Sequence, residues 1–160
     1  MKKTITKIDD CYIGSSIERS EDDTLISGKG QFGDDIGHPP GTLHVAVLRS
    51  SYASGKIVNI DTSEALAIPG VHSIIDGNMF AEISKPLLSV LRVDIEVWPC
   101  AIEFVRYVGE PIALVLAKDR YIAEDAIENI KVSYKQSEPI IDTYKSTLDD
   151  SPKVHNQLKT

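Results

Sequence analysis

Glu110 and Arg106 lie four positions apart in Arg106-Tyr107-Val108-Gly109-Glu110-Pro111 and form the polar group best placed for chemistry. A carboxylate beside a guanidinium could serve as an acid or base. Acid–base work asks for a second titratable group at the reacting atoms, however, and the sequence places none beside it. The preferred reading is structural. Gly109 permits a positive φ or a close backbone approach, Pro111 fixes φ at the mouth of the next strand, and Glu110 positions the turn against a neighbouring domain. A second candidate, Gly28-Lys29-Gly30-Gln31-Phe32-Gly33, matches the G-x-G-x-x-G dinucleotide pattern literally. That pattern needs a strand before it and a helix N-terminus after it. Asp34-Asp35 would repel phosphate, and Gly37-His38-Pro39-Pro40-Gly41 forbids the helix, so the segment reads as a turn.

The remaining chemistry-bearing residues are dispersed. His38, His44, His72 and His155 show no i, i+4 pair, and no cysteine stands at zinc-ligand spacing. His44 falls inside an apolar strand, where a hydrogen-bonded structural role is expected. Ser15-Ser16 and Ser50-Ser51 lack a nucleophile elbow and a recognisable base. Cys11 and Cys100 have no partner at metal or redox spacing and read as free thiols of a reducing cytoplasm. Catalytic, cofactor-binding and metal-ligating residues are therefore all assigned as none.

The elements that position these residues follow from periodicity. Ile112 to Ala117 is apolar without alternation, the pattern of a strand buried on both faces. Asp119 caps a helix from Arg120 whose Ile122, Ala123, Ala126, Ile127 and Ile130 share one face. Glu124, Asp125, Glu128 and Asn129 share the other. Lys131 to Tyr134 returns as a strand, and parallel pairing to the strand before the helix is expected. Further strands are expected at Leu43–Leu48, Lys56–Ile60 and Val71–Ile75. A short helix capped by Asp61, Thr62 or Ser63 should end at Pro69-Gly70, with helical turns at Gly77–Ile83 and near Tyr144–Asp149. Val93, Ile95 and Val97 alternate as one face of a core strand. The fold class is α/β or α+β, a mixed sheet with a few flanking helices.

Residues 1–24 read as a polar N-terminal arm and 25–160 as a single domain. A net charge of −7 over 160 residues argues against a phosphate-backbone ligand. The runs Glu21-Asp22-Asp23, Asp34-Asp35 and Asp149-Asp150 read as solvated loops, lacking the alternate-position register of a calcium loop. No apolar run approaches a membrane span, and the start Met1-Lys2-Lys3, read as natural, lacks the apolar core of a signal peptide. Cytoplasmic residence is expected.

A set of ordered blocks goes further than any one of these. Val105 to Ala113 (VRYVGEPIA), followed by Ala117-x-Asp119-Arg120-x-x-Ala123-Glu124-Asp125-Ala126, resembles the end of the first domain of the molybdenum hydroxylase large subunit. This is the xanthine dehydrogenase, aldehyde oxidase and carbon monoxide dehydrogenase family. Upstream, Ser27 to Ile36, Pro40 to Ala53, Ile60 to Ala65 and Ile68 to Val71 are similar to successive family blocks. Downstream, Pro139 to Asp142 and Val154-His155 resemble its close. Ser51 stands where the family usually has Pro, and Tyr52 to Gly55 replace a His-Ala-x-Ala stretch.

The resemblance implies an N-terminal α/β-hammerhead domain without the catalytic molybdopterin domains, whether a split subunit, a relic or an excised piece. It implies a non-catalytic structural and subunit-contact role, with no cofactor in this chain. Molybdopterin, iron–sulfur clusters and FAD would belong to the assembled complex. The implied partners are the molybdopterin-binding catalytic subunit and iron–sulfur and flavin subunits. Leu91, Trp98, Arg106 and Glu110 are the expected partner contacts, tryptophan being enriched at interface hot spots. A stand-alone binding module or a truncated relic is the alternative.

Overall fold

The run Ile112 to Ala117 sits at the centre of the fold as a strand bonded on both sides. The computed structural model describes residues 13–87 and 95–155, which form two compact units, one ending at Pro40 and one starting at Gly41. In the first unit a short helix α1 (Asp22–Ile26) runs into Gly28 at φ +69° and then a 3-10 turn at Gly33–Ile36. The Asp35 carboxylate accepts from the Phe32 amide at 2.9 Å. A helix thus precedes the glycine-rich segment and a one-turn 3-10 element follows it, as a turn requires and a dinucleotide loop does not.

The second unit contains, in order, β1 (His44–Arg49), β2 (Gly55–Asp61), α2 (Ser63–Leu66), β3 (Val71–Asp76), α3 (Gly77–Ile83), β4 (Phe104–Val105), β5 (Pro111–Ala117), α4 (Arg120–Glu128) and β6 (Lys131–Gln136). A 3-10 turn follows at Lys145–Thr147, within the stretch where a short helix is expected. The strands make two three-stranded sheets, β1-β5-β3 and β4-β2-β6, with every pairing antiparallel. The expected parallel pairing of the strands flanking α4 is therefore corrected. Both edges of β5 are occupied by β1 and β3, so β6 has no edge of β5 to join and pairs with β2 instead.

The local signals act as their chemistry dictates. Asp119 accepts from the Ile122 amide at 2.9 Å and starts α4, and Asp76 does the same for Met79 at the head of α3. Asp61, at the end of β2, holds the amide and hydroxyl of Ser63, which lowers its carboxyl pKa. Gly70 turns out of the α2 segment at φ +100°. The core is unusually rich in small residues: Ala46, Ala65, Ala113, Ala117, Ala123 and Ala126 are buried around Val115 and Ile74. Such side chains let α4 lie close on the sheet. A second cluster, Ala101, Val105 and Ile112, packs with Ile57, Ile60 and Tyr134 of the other sheet.

Over the described residues 95–98 the expected core strand ending at Trp98 is not formed. Val97 is 44% exposed, and the ladder bond seen among the described residues runs from the Leu87 amide to the Val97 carbonyl at 2.8 Å. Pro99 and the buried Cys100 immediately downstream end any continuation. Val93 lies outside the described residues.

Gly77 opens α3 where a Cβ would stand 2.3 Å from the Ala101 carbonyl oxygen. Gly77→Ala should therefore cost about 1–3 kcal/mol, as overpacking against backbone does. Urea denaturation of the two proteins measures it, and equal midpoints would contradict the contact.

Candidate functional site

Strand β5 begins at Pro111, and the turn leading into it carries the polar group singled out above. Gly109 adopts φ +90°, a conformation that favours glycine. The turn is pinned to the end of β1 from both directions. The Gly109 amide donates to the Ser50 carbonyl at 2.8 Å, and the Ser50 amide donates to the Glu110 carbonyl at 2.9 Å. Arg49 Nη1 reaches the Gly109 carbonyl at 2.9 Å.

Glu110 closes the turn from within. One carboxylate oxygen accepts from the Arg106 amide, and the other meets Arg106 Nη1 at 3.2 Å. The same Nη1 donates to the Phe104 carbonyl at 3.3 Å. Glu110 and Ser50 are the buried polar residues among those described, and Glu110 is the charged one. A carboxylate so shielded must be paired to be tolerated, and the amide and guanidinium meet that need. Both oxygens are thus engaged, one by the Arg106 amide and the other by its guanidinium.

Around this turn opens a cleft of about 1130 Å³, whose walls include Trp98, Cys100, Arg106, Glu110 and His155. Three of the four expected contact residues, Trp98, Arg106 and Glu110, therefore share one concave surface. Leu91 lies outside the described residues. Trp98 is half-buried and directs its indole N–H toward Glu96 Oε2 at 3.4 Å, long for a hydrogen bond. His155 was not singled out among the sequence candidates. Residue spacing alone carries no sign of it, because it lies 45 positions beyond Glu110. Its one trace is its place in the closing block of the resemblance. Burial, then the Arg106 charge, holds its imidazole below the ordinary 6.5, while Glu110 pulls the other way.

Beside the turn, Ser50 Oγ donates to the Tyr52 carbonyl at 2.8 Å, and the Tyr52 ring lies 4.7 Å from that of Tyr134. Burial raises the Tyr134 pKa. Burial also pushes the Cys100 thiol up to about 11, Asp76 adding to the effect, so it is a poor thiolate ligand. Among the described residues no three His, Cys, Asp or Glu side chains are grouped to hold a metal. An iron–sulfur cluster takes a set of cysteine thiolates, and the single described thiol does not fit one.

Two small antiparallel sheets, one covered by an alanine-faced helix, with a buried carboxylate holding a turn at a cleft, make up a mixed α/β domain. Residues 27–138 match the family described as aldehyde oxidase and xanthine dehydrogenase, a/b hammerhead domain, and the chain belongs to that family. It matches a domain of molybdenum hydroxylase large subunits. The carbon monoxide dehydrogenase large chain of Afipia carboxidovorans is 34% identical over 147 residues, covering 92% of this chain and 18% of its own length. The solved Cu,Mo-CO dehydrogenase in its carbon monoxide reduced state superposes with TM-score 0.80 at 34% identity, over 92% of this chain and 18% of its own. Quinoline 2-oxidoreductase from Pseudomonas putida 86 gives 0.77 at 35% identity, over 91% and 19%. The chain thus spans under a fifth of the length of these relatives. No described helix is long and apolar enough to cross a membrane.

Removing the clamp leaves buried donors unpaired, so Glu110→Ala should lower stability by about 1–3 kcal/mol in urea denaturation. A variant as stable as the parent would deny the clamp. His155 gives a pH signature. With a depressed native pKa, the folded chain binds fewer protons than the unfolded one. Stability should then fall as pH drops from about 7 through 6.5 toward the native value, below which the loss is complete. His155→Gln should flatten that slope, and an unchanged slope would place the imidazole elsewhere.

Proposed function

We propose that this chain is a non-catalytic component of a molybdenum hydroxylase large subunit, one that walls a passage and joins subunits. The chemistry, hydroxylation of an aldehyde, a heterocycle or carbon monoxide with water as oxygen source, belongs to a molybdopterin-bearing polypeptide. Iron–sulfur and flavin (FAD) subunits carry the electrons away. The observation that carries the reading is the state of Glu110: the buried carboxylate is consumed by the Arg106 amide and guanidinium. It holds the 106–110 turn at the rim of the cleft and offers no free oxygen to a reacting atom. Trp98 and Arg106 present the surface that meets the partner. No step of the reaction is assigned to residues of this chain. The reduced Cys100 thiol supports a cytoplasmic assembly.

The open cleft favours a second reading, a stand-alone module that holds a ligand or another protein there. One experiment separates the two. Affinity capture of the chain co-expressed with the molybdopterin-binding polypeptide of the same genome should give an equimolar complex that reduces an electron-accepting dye, whereas the chain alone should not. Stoichiometric molybdenum with dye reduction by the chain alone would overturn the proposal, and absence of any complex would favour the ligand-holding module. In the reconstituted complex Glu110→Gln should leave turnover within about tenfold, the lower edge of general acid–base effects. A thousandfold loss would make Glu110 a participant in catalysis.

A further inference from the structure

We draw no further inference here: the strongest candidate, the side-chain cluster of Arg106, Glu110 and His155 on the wall of the cleft at the head of β5, belongs to the site already described, and nothing in the structure shows what occupies that cleft.

Discussion

Everything in the second unit leans on β5 hydrogen-bonding to neighbours on both edges while burying side chains of an unbroken apolar run. β1 and β3 take its edges, and the alanines of α4 close on its covered face. Small side chains at Ala113, Ala117, Ala123 and Ala126 set the depth to which the helix sinks. Close packing of this kind is sensitive to added volume, because interiors are already near crystal density. The helix is only nine residues long and its outer face is polar, so isolated propensity would not hold it. The sheet holds it.

The two sheets meet where β5 begins. The Ala101 amide donates to the Pro111 carbonyl at 2.8 Å, and the Ile57 amide donates to the Glu103 carbonyl at 2.8 Å. The segment before β4 thus stitches the start of β5 to β2. Ile112 is the extra residue of a bulge, since Leu48 pairs with Ala113 and Arg49 with Pro111. A bulge re-aims the side chain, and Ile112 joins Val105 and Ala101 in the second cluster. Proline suits this position. The register break beside it and its place at the strand's first residue spare the ladder an amide it cannot supply.

What the sequence made legible is what local chemistry decides. Asp119, the two-faced helix after it, the buried run of β5, the turn at Gly70 and the positive φ at Gly109 all follow from residue type and spacing. The parallel pairing of β5 and β6 did not follow. A strand–helix–strand pattern says that two strands are joined, and not which edges are free when the second arrives. That depends on β1, which pairs with β5 from more than 60 positions upstream. The alternation from Val93 to Trp98 misled for a related reason. Alternation predicts a strand only where a partner edge exists, and among the described residues Val97 meets Leu87 in an isolated bridge. Of the candidate site, Arg106 and Glu110 were legible as one polar turn, and their ion pair only from the folded chain. His155 was not legible, because only the folded chain carries it to the cleft.

The position of Glu110 favours a brace over a reactive group on energetic grounds. A catalytic carboxylate works when its environment leaves one oxygen free to move a proton and tunes its affinity for that proton. Here both carboxylate oxygens already accept hydrogen bonds, one from a backbone amide and one from a guanidinium, and moving the carboxylate would orphan both donors. Arg106 Nε is already buried without a partner, and loss of the carboxylate would leave the guanidinium only the Phe104 carbonyl as acceptor. The pair therefore gains more from holding the 106–110 turn than from serving a substrate. That turn fixes where β5 starts, which in turn fixes the register of both sheet faces. A domain built this way is held rigid at the rim of its cleft.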